Sequence, residues 1–500
     1  MMRVNNNKYK LQSFLTILFI LGYLSMAQCQ QKPNILFIAI DDLSDAASCM
    51  KSAVNVPTPN IDRLASQGTL FLNAHAQAPL CGPSRASIMT GLYPSTTGNY
   101  LMVKDSLIKT GSRAASKSIF MPDYFEQFGY KTMAVGKIYH GGDEAHTFQE
   151  YGGGFNNAGP IPEERVNYNP VGMPGKSGKT MTDWGYNVPH DSLMADYNSA
   201  KWAVNKLGQK HDKPFFLATG FNRPHVPWHV PKKWYDMFPL ENIKTPPYLK
   251  NDLDDVPLMG KRVSAVPMMP TAEELTERGE WKEMLQAYYA SVAFVDAQVG
   301  KVLDALEKSP YANNTIIVLW SDHGYHLGEK NRVAKHALWE RATRVPLIIK
   351  DINTKGGQVS KAPVGLIDMY PTMIELCGLP PLEQLEGNSL VELMKRPNMK
   401  WEHPELMFYG EGNMVVRDGR FRLTRYEDNT MELYDMKKDP NEWYNLANDE
   451  RHQKTIKKLE AYFPKTWAPL AQFSHYNIND YFLEKVRIKD EAYKKENSKK

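Results

Sequence analysis

Asp41-Asp42 and Asp322-His323 each follow directly on a run of apolar residues, and Cys81 heads the pentapeptide Cys81-Gly82-Pro83-Ser84-Arg85. Adjacent carboxylates at the exit of a buried segment repel one another unless a cation joins them, and oxygen donors of this kind suit calcium or magnesium. The rival reading of Asp41-Asp42 is a solvated turn; Asp322-His323, after a second apolar run, offers a further set of ligands and weighs toward the metal. Cys81 admits three readings: a buried inert thiol, a low-pKa thiolate nucleophile, or a site of covalent modification. Pro83 places it just before a helix start, where backbone N–H groups and the helix dipole favour negative charge. A thiolate nucleophile also needs a positioned base, and aspartates delivered to the same place oppose it. Residue chemistry alone leaves the three open.

The segments that must position these groups alternate between short apolar runs and amphipathic stretches, the pattern of an α/β protein with a largely parallel sheet. Four predicted strands run into reactive side chains. NILFIAI (34–40) leads to Asp41-Asp42, TMAV (132–135) to Gly136-Lys137-Ile138-Tyr139-His140, PFFLATG (214–220) to Phe221-Asn222-Arg223-Pro224-His225, and TIIVLW (315–320) to Ser321-Asp322-His323-Gly324. Ligands bind beyond the carboxyl ends of strands in open α/β sheets, so parallel strands would bring all four clusters to one rim. Thr58-Pro59 opens a helix that Gly68 closes, residues 69–72 are strand-like, and Pro83 begins a helix ending near Gly91. Residues 281–308 carry a helical period, with Met284, Tyr288, Val292, Val295, Val299, Val302 and Leu306 on one side. Residues 246–270 show no period and read as a long surface excursion. Past residue 400 come short polar strands (414–417, 421–424, 432–434) and a helix near 453–462.

Cys81-Gly82-Pro83-Ser84-Arg85, continued by Ala86-Ser87 and Thr90-Gly91-Leu92-Tyr93-Pro94, resembles the signature of type I sulfatases. In that family the cysteine of a Cys-x-Pro-Ser-Arg core is converted to formylglycine by a maturation enzyme. The resemblance runs from Pro33 to about Leu446. It is nearest the iduronate-2-sulfatase branch through Val135-Gly136-Lys137-Ile138-Tyr139-His140, Arg223-Pro224-His225, Ser321-Asp322-His323-Gly324 and Leu327-Gly328-Glu329. Asp322-His323 follows that branch, where many arylsulfatases carry Asp-Asn. The resemblance implies an alkaline-phosphatase-like α/β/α sandwich with a large, mixed, mostly parallel sheet and a smaller C-terminal α+β subdomain with antiparallel strands. It implies an exported sulfuric ester hydrolase acting on a sulfated carbohydrate, with calcium held by Asp41, Asp42, Asp322, His323 and an oxygen of modified residue 81. Arg85 would steady the formylglycine hydrate, His140 would take its proton, Lys137 and Lys335 would neutralise the sulfate oxygens, and His225 would be general acid to the leaving sugar oxygen. Arg223 is a candidate partner for a sugar carboxylate by position only. Trp184 reads as a sugar-site wall or a core residue, and His326 as a pocket wall or surface residue. Sulfated uronates and algal polysaccharides both stand as substrates. A phosphoesterase on the same fold and a non-catalytic glycan binder are the rival functions.

Composition bounds the rest. A net charge of +4 over 500 residues gives no reason to expect nucleic acid or a membrane surface as partner, so anion handling must be local. Arg3, Lys8 and Lys10, an apolar stretch from 11 to 24 and Ser25-Met26-Ala27 form a secretory leader, residues 1–27. The apolar stretch is short for a membrane span. The expected destination is the periplasm or the medium; lipid anchoring at Cys29 ranks lower because Gln28 suits that processing poorly. Four cysteines are too few for a disulfide framework. The expected divisions are a catalytic domain over 28–400, a C-terminal subdomain over 401–485 and a flexible tail over 486–500.

Overall fold

A computed structural model describes residues 32–141, 146–154, 159–176, 178–476 and 478–497. The leader and Cys29 lie outside the described residues. The frame is a nine-stranded sheet. Asn34–Ile40 lies near its middle, parallel to Thr315–Ser321 on one side and to Phe215–Phe221 on the other. Lys131–Val135 and then Glu150–Tyr151 extend it beyond Phe215–Phe221, all parallel. Arg344–Lys350 is the antiparallel strand, set between Thr315–Ser321 and Thr69–His75.

The apolar runs form central strands because both of their faces are covered. Leu36, Ile38 and Ile40 face one layer, with the helices Pro59–Gln67, Ala195–Leu207 and Trp281–Glu307. Ile35, Phe37 and Ala39 face the other, with Cys81–Thr90, Met121–Gln127 and Met369–Leu376. The result is the expected α/β/α sandwich. The 27-residue helix Trp281–Glu307 falls where its apolar period predicts. A four-stranded antiparallel sheet, Glu405–Phe408, Met414–Arg417, Phe421–Arg425 and Met431–Asp435, follows with the helix Gln453–Glu460. It shares a core with Leu80, Tyr100 and Leu101.

Three expectations change. The helix of the pentapeptide starts at Cys81, two residues before Pro83, because first-turn positions have no intrahelical acceptor for their N–H and so tolerate proline. The stretch 246–270 is partly interior: Asp252, Val256, Val263, Met268 and Met269 are buried, and Asp252 accepts a hydrogen bond from buried Lys330 at 2.6 Å. The expected tail over 486–500 is helical as far as Asn497, within Asp480–Asn497. Its apolar residues Tyr481, Phe482 and Val486 pack into the C-terminal core.

Candidate active site

Sheet register brings the strand exits together. Ile40 pairs with both Phe221 and Ser321, and Val135 pairs with Thr219. Asp41 N therefore donates to Phe221 O at 3.1 Å, and Asp322 N to Ile40 O at 3.3 Å. Past Val135 the chain turns at Gly136, whose φ is +73°; a Cβ there would meet Gly220 O at 2.0 Å, so only glycine lets Lys137 approach. Asp42 also takes a left-handed conformation, φ 62°. Its N–H donates to Asp322 Oδ1 at 3.2 Å, and its carbonyl accepts from Tyr288 Oη at 3.1 Å. A non-glycine residue held there marks strain maintained by its surroundings.

Around this rim three carboxylates meet three cations. Lys137 Nζ donates to Asp41 Oδ2 at 2.5 Å, Lys335 Nζ to Asp42 Oδ1 at 2.7 Å, and Arg85 Nε to Asp322 Oδ2 at 2.8 Å. All six side chains are buried. Arg85 also donates to the carbonyls of Lys137 and Ile138, at 2.6 and 2.8 Å, and its guanidinium lies 5.5 Å from the Trp320 ring. Cys81 reaches the centre: its Sγ is 3.1 Å from His323 Nε2 and 3.1 Å from Lys335 Nζ. Burial pushes the Cys81 thiol up, and Asp41 adds to that against Lys137 and Lys335. Burial and Asp41 thus oppose a thiolate here, which weighs against the cysteine-hydrolase reading.

The donors suit a divalent cation. Ligand atoms of Asp41, Cys81, Asp322 and His323 lie within 4.8 Å of one another, and so do those of Asp41, Asp42, Cys81 and His225. Asp41 Oδ1 and Asp42 Oδ2 are buried and accept no hydrogen bond among the described residues. Burial, opposed by Arg85 and reinforced by Asp41, raises the Asp322 carboxyl. His323 Nδ1 lies 3.0 Å from Gly324 O; the carbonyl can only accept, so Nδ1 carries a proton, and Nε2 is directed inward, 3.3 Å from Asp42 Oδ1. The carboxylates give the hard oxygen donors that calcium or magnesium prefers, and the imidazoles and the Cys81 sulfur are the softer groups.

His225 and His140 are the least enclosed members of the site. The side chain of His225 is 17% exposed, with Nε2 4.0 Å from Asp42 Oδ2 and Nδ1 2.6 Å from Val226 O. Burial lowers its pKa to about 4, although Asp42 pulls the other way. Half-buried His140 is held by its backbone N–H, which donates to Asp105 Oδ1 at 3.2 Å. Burial, then Lys137, lowers it to about 3. Arg223 does not fit the carboxylate-binding role: it is 1% exposed, and its guanidinium donates to His225 O at 2.8 Å. It shapes the loop that carries His225. Trp184 is a core residue stacked on Tyr168, and His326 is fully buried, with Nδ1 3.2 Å from Ala334 O.

Sequence reasoning missed the supports. Asp196 accepts from the N–H groups of Asn222 and Arg223 at 2.6 and 2.8 Å and so anchors the His225 loop. Ser84 Oγ donates to Asp322 O at 2.5 Å. Ser84 lay within the quoted signature and could have been singled out, whereas Asp105, Asp196 and Tyr288 sit in no motif.

Fold and site together define a hydrolase built around a buried centre where three cationic side chains meet three carboxylates. Residues 33–379 match the family model described as Sulfatase, and residues 328–467 match one described as N-sulphoglucosamine sulphohydrolase, C-terminal. The chain is 46% identical over 458 residues to a sulfatase of Formosa agariphila, covering 91% of this chain and 90% of the relative. It is 33% identical over 392 residues to the iduronate 2-sulfatase of Mus musculus, covering 69% of each. Among solved structures, a 2-O GAG sulfatase superposes with a TM-score of 0.66 at 23% identity, covering 86% of this chain and 91% of that one. The chain belongs to the sulfatase family, near its iduronate-2-sulfatase branch, and is a sulfuric ester hydrolase.

Proposed function

We propose that this enzyme removes sulfate from a sulfated glycan, using a formylglycine made from Cys81 and a calcium ion held by Asp41, Asp42, Asp322 and His323 with an oxygen of residue 81. The observation that carries the reading is the position of Cys81 Sγ, 3.1 Å from both His323 Nε2 and Lys335 Nζ, beside carboxylate oxygens that accept no hydrogen bond. Sγ stands where the side-chain oxygen of the modified residue would lie. The hydrated aldehyde supplies the attacking oxygen, and the ion supplies Lewis acidity that eases its deprotonation and polarises the sulfate. Three carboxylates and three cationic side chains cancel, so the protein side chains alone offer an anionic ester no net attraction. A bound dication restores it.

The remaining roles belong to the chain. Lys137 and Lys335 face the sulfate oxygens, Arg85 orients residue 81 from the opposite side, and His140 accepts a proton from it. His225, oriented through Val226, presents Nε2 to the leaving sugar oxygen as general acid. Its low pKa in the free enzyme rises when an anionic ester docks beside it. The name of the Mus musculus relative makes 2-O-sulfated uronate termini the first substrates to try, with other sulfated sugars of algal polysaccharides next. The leader supports export, and no helix among the described residues is long and apolar enough to cross a membrane.

The deciding experiment pairs peptide mass analysis of residue 81 in active enzyme with sulfate release from defined sulfated oligosaccharides, before and after calcium removal. Formylglycine at position 81 and calcium-dependent release are expected. An intact thiol in fully active enzyme would sink the reading. Faster hydrolysis of an aryl phosphate than of the matching sulfate would favour the phosphoesterase instead. Tight glycan binding without sulfate release, with formylglycine present, would favour a non-catalytic binder.

A further inference from the structure

Lys335 reaches the centre from a hairpin in which Val333–Ala334 pairs with His326–Leu327, and the residue after it is strained. His336 has a φ of 64°, a conformation unfavourable for a residue with a Cβ. Its N–H donates to Pro79 O at 3.2 Å, two residues before Cys81. Its Nδ1 lies 2.7 Å from the Tyr476 hydroxyl, which lies 2.5 Å from that of Tyr409. All three side chains are buried. Arg332 completes the clamp by donating to the carbonyls of Lys335 and His336, at 2.7 and 3.2 Å.

Tyr476 comes from the C-terminal part of the chain, far in sequence from every residue assigned above. The segment before it is pinned across the catalytic layer: Ala468 N donates to Ser95 O at 2.7 Å, Ala471 N to Gly98 O at 2.9 Å and His475 N to Met102 O at 2.8 Å. His336 thus links the chain just before the signature helix to Tyr476, while the C-terminal segment is pinned to the chain that follows that helix. A lysine side chain has many rotamers, and the backbone at residues 335 and 336 sets the direction from which Nζ approaches.

We propose that Tyr476, backed by Tyr409, is a positioning residue for Lys335: its hydroxyl holds His336 in the left-handed turn that aims the ammonium at residue 81. The proposal rests on the reading of Lys335 as a sulfate-binding cation. The test is a kinetic cycle on the full-length, modified enzyme with a sulfate ester, comparing Tyr476→Phe, Lys335→Ala and the double variant. Tyr476→Phe should lose at least about tenfold in kcat/KM, as small misplacements of a binding group do. Added to Lys335→Ala, it should cost less than about twofold, because the group it aims is already gone. A Tyr476→Phe enzyme as active as the parent, or equal losses in both backgrounds, overturns the proposal. Unchanged activity in Lys335→Ala instead overturns the underlying reading of the site. Should Tyr476→Phe fail to fold, Tyr409→Phe removes the outer hydroxyl, and the same dependence on Lys335 is required of it.

Discussion

Arg85 Nε lies 2.8 Å from Asp322 Oδ2, and the two side chains are 1% and 0% exposed. This pair ties the helix that carries residue 81 to the strand exit that carries Asp322. The same guanidinium also fixes the Lys137 turn, so under the proposed mechanism the pair bears on both stability and chemistry.

Arg85→Ala should therefore fail in two assays. It leaves a buried carboxylate without its partner, which typically costs about 3–5 kcal/mol, so the thermal midpoint should drop clearly. Sulfate release should fall by about a thousandfold or more, since a fixed electrostatic group at the reacting centre is lost. Arg85→Lys should recover much of the midpoint and little of the rate, because an ammonium cannot span Asp322 and two carbonyls at once. Equal recovery of both would show that Arg85 acts only as a charge.

Calcium should stabilise the fold by mass action, raising the midpoint as its concentration passes the dissociation constant. Asp42→Asn removes a ligand and leaves Lys335 without its carboxylate, so the calcium-dependent rise should shrink or vanish. Differential scanning calorimetry across a calcium titration reads this without any substrate. A rise of parental size in Asp42→Asn would remove Asp42 from the ligand set.

A pH effect on stability should arise away from the catalytic centre. Burial raises the Asp368 carboxyl from 3.8 to about 7, and burial together with Asp368 raises Glu405 well above its usual value. Both raised groups hold protons in the folded state that the unfolded chain has released. Their contribution is fully present below about pH 4 and is lost as pH rises through about 7, each unit of separation being worth about 1.4 kcal/mol. Buried histidines with lowered pKa, His140 and His225 among them, act in the opposite sense, so the carboxyl contribution is read as a difference: between pH 5 and pH 8 the midpoint of Glu405→Gln should gain on that of the parent as pH rises. An unchanged slope in that variant would locate the effect elsewhere.

The catalytic rim was legible in the sequence because each element of it is local. A buried strand is a run of apolar residues, and the residue after that run lies at the sheet edge whatever the rest of the chain does. Asp41, Lys137, His225 and Asp322 could all be found that way. Asp196, Asp105 and Tyr476 could not, since each acts across a long stretch of chain on a partner's backbone or imidazole and leaves no periodic or motif signal. Charge misled at the C-terminus: the lysine-rich stretch from 486 continues the helix Asp480–Asn497, and its first residue, Val486, packs into the C-terminal core beside Tyr481 and Phe482. Arg223 looked like a ligand-binding arginine because it sits in the right loop, yet its guanidinium is consumed by that loop's own carbonyls.

His225 poses the sharpest question of role, since it groups with Asp41, Asp42 and Cys81 as a candidate metal ligand and is also the general acid proposed above. The two roles respond differently to leaving-group chemistry. A general acid matters when the departing oxygen is basic and hardly at all when it leaves readily as an anion. His225→Ala should slow release from a sugar sulfate by about a hundredfold or more, within the usual range for general acid catalysis, while hydrolysis of a nitrophenyl sulfate stays within a few-fold of the parent. Its calcium-dependent midpoint shift should be unchanged. A metal ligand would give the reverse: comparable losses on both esters and a smaller calcium shift. That result would move His225 from proton donor to the ion's coordination sphere.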